Sequence, residues 1–88
     1  MSPINEKISE LRKKVDNADE KIIHYLIERF KLTDNIHKIK RSNEIQILDE
    51  NRWEVVIDKI KKICNENGFD FSIIKKLYDI IHEEANKR

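Results

Sequence analysis

The sequence predicts an all-α fold of three helices, one long and two shorter, and two observations predict it. The 88 residues include one glycine and one proline, too few to punctuate a succession of strands and tight turns. Apolar residues instead recur three and four positions apart, the spacing of a single helix face. The length suits one small helical domain over residues 1–88, and neither an internal repeat nor a low-complexity tract interrupts it.

The first helix is expected from about residue 3 to about residue 40. Ser2-Pro3 supplies a cap residue followed by a first-turn proline. From Ile8 onward the stripe reads Ile8, Leu11, Val15, Ala18, Ile22, Tyr25, Arg29, Leu32, Ile36, Ile39. Some 36 residues at about 1.5 Å each make a rod of roughly 54 Å. A compact domain of this size has a diameter of about 30 Å, so half the stripe would stay wet in a monomer, more than a soluble monomer tolerates. The expectation is therefore a homodimer, with the first helix lying against a second copy.

Ser42-Asn43 is the expected stop, and Ile45, Ile47 and Leu48 are expected to tuck into the core. The second helix is expected over about 50–66, capped near Asp49 or Asn51, with Trp53, Val56, Ile57, Ile60, Ile63 and Cys64 on its buried face. Asn67-Gly68 ends it, with Gly68 as the left-handed residue. Asp70 or Ser72 caps the third, over about 71–87, which buries Ile73, Ile74, Leu77, Tyr78, Ile80, Ile81 and Ala85.

Charge narrows the function classes. Eighteen basic residues face seventeen acidic ones, for a net charge of +1, so no global field draws in nucleic acid or an anionic membrane. No apolar run approaches the length of a membrane span or reads as a signal-peptide h-region, so the expected location is the cytoplasm. Cys64 is alone and reads as a small buried apolar residue. His24, His37 and His82 have no nucleophile, acidic partner or ligand spacing beside them, and read as surface or helix-end residues. No metal or cofactor is expected.

Arg29 is the misfit. It occupies a position of the apolar stripe with a cation that does not deprotonate. Burying such a group is costly unless anions surround it, so either an acid of its own domain or a ligand must neutralise it. Lys40 lies 11 residues further on, within about 20° of the same face and roughly 16 Å along the axis, so the two can grip one small anion. Arg12 lies about 100° round the helix from Arg29 and reaches such a pocket only from a second chain. Asp49 and Arg52 stand at the opening of the second helix, where free backbone N–H groups favour an anion. Singly, Arg12 and Lys40 read as solvated and Asp49 as a cap. Jointly, they point to a site for a small polyanion.

The order Leu11-Arg12-x-x-Val15-Asp16-x-x-Asp19-x-x-Ile22, then Glu28-Arg29, Lys38-x-Lys40 and Asp49-x-x-Arg52 resembles the all-helical (AroQ-type) chorismate mutases, over about residues 4–85. The resemblance implies an intertwined homodimer of three-helix chains that share their active sites and rearrange chorismate to prephenate, a step toward phenylalanine and tyrosine. Such a pericyclic step needs no nucleophile, proton transfer or metal. It needs the reactive conformer to be held and the charge on the breaking ether bond to be stabilised. By position, Arg29 would grip a substrate carboxylate from within its chain, and Arg12 would do so from the other. Lys40 would face the ether oxygen, and Asp49 and Arg52 would line the region of the ring hydroxyl.

Three departures accompany the resemblance. Trp53 stands where many members carry a glutamate that helps bind the hydroxyl. Ala85 stands where a serine is common. A glutamine that often donates to the ether oxygen would fall at about position 89, beyond Arg88. If Arg88 is the natural end, one transition-state donor is missing, and the expectation is a weak mutase, a trimmed chain or one domain of a larger fused enzyme. The resemblance also admits an isochorismate pyruvate lyase, or a non-catalytic dimerisation or regulatory module with the same fold.

Overall fold

Three α-helices, α1 over Pro3–Ser42, α2 over Glu50–Glu66 and α3 over Phe71–Lys87, make up the computed structural model, which describes residues 2–88 and has no strand among them. The chain divides into two compact units, Met1–Leu32 and Thr33–Arg88. No helix among the described residues is long and apolar enough to cross a membrane.

Each helix begins on a side-chain cap. The Asn5 N–H donates to the Ser2 hydroxyl at 3.2 Å. At α2 the extended Asp49 takes the Arg52 N–H on its carboxylate at 3.0 Å. At α3 the cap is Asp70, whose carboxylate accepts the Ser72 N–H at 2.9 Å and the Ser72 hydroxyl at 2.8 Å. Those bonds favour the ionised form and hold the Asp70 carboxyl below its usual range. Each cap satisfies a donor that the helix itself leaves unpaired, worth about 1 kcal/mol.

Two helices end on the same device. After α1, the Glu44 N–H reaches the Arg41 carbonyl at 3.3 Å and the Ile45 N–H reaches the Lys40 carbonyl at 2.7 Å. After α2, the Gly68 N–H reaches Asn65 at 3.3 Å and the Phe69 N–H reaches Cys64 at 2.9 Å. Both are Schellman closures. Asn43 and Asn67 precede them, each donating its side-chain amide to the carbonyl four residues back, at 2.8 Å. The left-handed position is Gly68 (φ 63°) in one and Glu44 (φ 57°) in the other. Glycine takes that conformation freely, whereas glutamate is strained in it.

The described residues of the unit Met1–Leu32 are Ser2 and the run of α1 from Pro3 to Leu32. Its stripe residues Ile8, Leu11, Val15, Ile22 and Tyr25 are exposed, and only Leu26, Arg29 and Phe30 reach half-burial. In Thr33–Arg88, α2 packs on α3, and Cys64, Ala85 and His37 are the buried residues. The end of α3 is tied to the last turns of α1. Arg88 donates to both carboxylate oxygens of Asp34 at 3.1 and 3.2 Å, and Arg41 donates to the Arg88 carbonyl at 2.9 Å.

Several expectations about burial fail in this unit. Ile45 and Leu48 are exposed, and only Ile47 of that trio is half-buried. On α3 the inward line is Ile74, Tyr78, Ile81 and Ala85, while Ile73, Leu77 and Ile80 form a second apolar stripe open to solvent. Ile63 of α2 is likewise exposed. A pair of helices touches along one line each, so α3 has apolar surface on two sides and a neighbour within the chain for only one of them. The histidines also depart from their expected places: His37 is 7% exposed and His82 is half-buried.

Candidate functional site

In Met1–Leu32 the two candidate cations differ. Arg12 is exposed, as a solvated side chain would be. Arg29 is half-buried, less accessible than Tyr25 or Leu32 beside it in the stripe. A half-buried guanidinium keeps part of its hydration, so its position costs less than the full burial expected from the stripe.

Thr33–Arg88 holds the remaining candidates. Lys40 is half-buried in the last turn of α1, and its ammonium donates to the Ile47 carbonyl at 3.0 Å. Its own carbonyl accepts the Ile45 N–H that closes the helix. The segment after α1 thus holds Lys40 at both its backbone and its tip. An ammonium has three donors, so two remain for an anion. Asp49 is exposed and is the α2 cap; its Oδ1 is engaged by the Arg52 N–H. The Arg52 side chain is exposed. Positive potential at the start of α2 therefore has two sources, the Arg52 guanidinium and the first-turn amides.

Trp53 is half-buried and lies flat on His82 of α3, with ring centroids 3.8 Å apart and planes 9° from parallel. One turn further along α3, Asn86 Nδ2 is 3.3 Å from His82 Nε2. Ala85 is 4% exposed, so a residue with a longer side chain there would have to displace its neighbours. The Ile47 carbonyl, His82 and Asn86 were missed by sequence reasoning. A carbonyl leaves no mark in a residue pattern. His82 did carry a signal, since it is adjacent to Ile81 and four residues beyond Tyr78, on the inward side of α3.

A cavity of about 260 Å³ in the same unit is lined by Asp34, His37, Lys38, Arg41 and Arg88. None of the candidate residues lines it. Arg88 is neutralised there by Asp34, and its hydrogen bonds hold the Asp34 carboxyl below the usual carboxylate range. The buried His37 Nδ1 has no hydrogen-bond partner among the described residues. No group of three or more His, Cys, Asp or Glu side chains able to hold a metal ion occurs among the described residues.

Comparison with known proteins adds three findings. A family model described as chorismate mutase type II matches residues 11–88. A protein of Methanocaldococcus jannaschii named chorismate mutase is 37% identical over 78 residues, covering 89% of this chain and 79% of that protein. A Buchnera aphidicola protein named bifunctional chorismate mutase/prephenate dehydratase is 28% identical over 83 residues, 94% of this chain but 22% of its own length. No solved structure gives a significant match.

Proposed function

The chain belongs to the type II chorismate mutase family, and on that premise we propose that it catalyses the rearrangement of chorismate to prephenate as a homodimer. The observation that carries the reading is the extent of the family match. Residues 11–88 include every candidate cation, Arg12, Arg29, Lys40 and Arg52. The geometry of Thr33–Arg88 supports it, because Lys40 is held at its tip with donors to spare.

Chorismate carries two carboxylates and an ether oxygen, and negative charge grows on that oxygen as the C–O bond breaks. In the proposed site Arg29 binds one carboxylate and the partner's Arg12 the other. The two anchors hold the flexible substrate in its folded, reactive conformer, which removes much of the entropic barrier. Lys40 donates to the ether oxygen. Its hold on the Ile47 carbonyl means that little reorganisation is needed when the charge develops, and this favours the transition state over the ground state. Arg52 and the α2 amides supply further positive potential beside the ring, where Asp49 fixes the start of the helix. Trp53 and Ala85 border the same region. No step requires a cofactor.

The dimer has its own support. Among the described residues no large side chain is fully buried, whereas a stable domain needs a packed apolar interior. The exposed stripe of Met1–Leu32 and the exposed Ile73–Leu77–Ile80 line of α3 are the surfaces a second copy would cover. Shared sites between intertwined chains follow from the same reading, because Arg12 would come from the other copy. The cytoplasm expected from the sequence is the location this reading adopts.

The test is to mix the purified chain with chorismate, follow its disappearance and identify the product, with isochorismate as the control for lyase activity. Prephenate formed by the wild type, and lost in Arg29→Ala and Lys40→Ala, supports the reading. Pyruvate released from isochorismate, with no prephenate from chorismate, overturns it in favour of the lyase.

A further inference from the structure

The residue after Arg52 is the indole of Trp53, a flat surface with an N–H but no acceptor. A rigid indole is a useful wall for a ring substrate, but a half-buried one at the first turn of a helix is free to rotate unless something holds it. Here His82 holds it. The imidazole lies 3.8 Å from the indole, centroid to centroid, with the planes 9° apart, the face-to-face contact of two aromatic rings. The imidazole is oriented in turn by Asn86, one turn along α3, whose amide nitrogen is 3.3 Å from Nε2. The amide nitrogen can only donate, so Nε2 is the acceptor in this contact. Asn86, His82 and Trp53 thus form a chain of contacts from α3 to the start of α2, beside the cap residue Asp49 and Arg52.

We propose that His82 is a positioning residue for the mutase site, one that fixes the Trp53 indole as a flat wall against the substrate ring and so sets how closely the substrate fits. The inference rests on the mutase reading and adds a residue to it. His82 touches no substrate itself and acts through Trp53. The acceptor for the ring hydroxyl that the family resemblance implies is absent at position 53, so the contribution of this position comes from shape and ring contact, beside the charge that Arg52 supplies. Both depend on the indole holding still.

The experiment compares wild type, His82→Ala, His82→Phe and Asn86→Ala for kcat and KM with chorismate, with far-ultraviolet circular dichroism to confirm folding. Trp53 is the chain's one tryptophan, so near-ultraviolet dichroism of the indole reports the stack directly. A displaced wall misplaces the substrate, so His82→Ala is expected to lower kcat/KM about tenfold, mainly through KM, and to weaken the indole band. His82→Phe keeps a flat ring and is expected to stay within about threefold of wild type, and Asn86→Ala to fall between the two. If His82→Ala does not fold, the other two variants decide, and Asn86→Ala with wild-type KM overturns the proposal. A folded His82→Ala with wild-type kcat/KM and only a lower Tm overturns it too, since the stack would then serve packing alone. A wild type inert toward chorismate overturns the mutase reading itself, whereas an active wild type matched by an equally active His82→Ala removes only the role of His82.

Discussion

The Lys40 ammonium donates to the Ile47 carbonyl at 3.0 Å, across the turn that closes α1. The Lys40 carbonyl accepts the Ile45 N–H from the same turn. A lysine held at its tip points its remaining donors in fixed directions, whereas a solvated lysine samples many rotamers. In the proposed mechanism this preorganisation is what makes the cation useful at the breaking bond.

Lys40→Met keeps the length and apolar stem of the side chain and removes the charge. It is expected to lower kcat by about 10²–10³, the usual cost of losing a donor to a developing oxyanion, with a smaller change in KM. Steady-state kinetics checks this. A large rise in KM at unchanged kcat would show that Lys40 binds ground state and transition state alike.

Glu44 and Gly68 occupy equivalent left-handed positions in two matching helix ends. Glu44→Gly relieves a strain that costs an L-residue roughly 1–2 kcal/mol, less the greater freedom glycine has when unfolded, so a net gain of about 0.5–1 kcal/mol is expected. Gly68→Ala is expected to lose about 1 kcal/mol. A methyl there meets nothing within 4 Å, so that loss is conformational. Urea unfolding of both variants measures the pair.

Hydrogen bonds from Arg88 depress the Asp34 carboxyl. A depressed carboxyl contributes stability above its unfolded pKa and loses it as pH falls through the folded value. Acidification below about pH 4 should therefore weaken the wild type more than Asp34→Asn, whose stability at neutral pH starts lower. Thermal melts of the two chains across that range should converge. Curves that run parallel would show that the ion pair does not couple folding to protonation.

The exposed apolar stripes predict a dimer of about twice 10.6 kDa in sedimentation, and a monomer at micromolar concentration would contradict the proposed assembly. Shared sites make a sharper prediction. Arg12→Ala and Arg29→Ala, each inactive alone, should regain activity when co-expressed, because a mixed dimer keeps one site with both arginines intact.

Much of the fold was legible because the signals were local. Asp49 and Asp70 cap helices by side-chain chemistry, and Asn67-Gly68 announces a left-handed turn. The stop at Ser42-Asn43 was legible too, but the left-handed residue after it was not, because glutamate does not advertise positive φ. Spacing also identified the apolar faces of α3 but not which line faces inward, since Ile73, Leu77 and Ile80 are as apolar as the buried line. Among the candidate cations only Arg29 was visible as a misfit in a pattern, and Arg12, Lys40 and Arg52 were visible only through their joint placement and the family resemblance. What holds them was not: the Ile47 carbonyl is backbone, and the His82 stack depends on how α2 meets α3.

The central claim is that this chain turns chorismate into prephenate with Arg29 and Lys40 at the site. The most direct measurement is the rate of prephenate formation by the folded wild-type chain beside Arg29→Ala and Lys40→Ala. The account predicts turnover well above the uncatalysed rate and its loss in each variant. A folded wild type that leaves chorismate at the uncatalysed rate, or variants as active as the wild type, would contradict it.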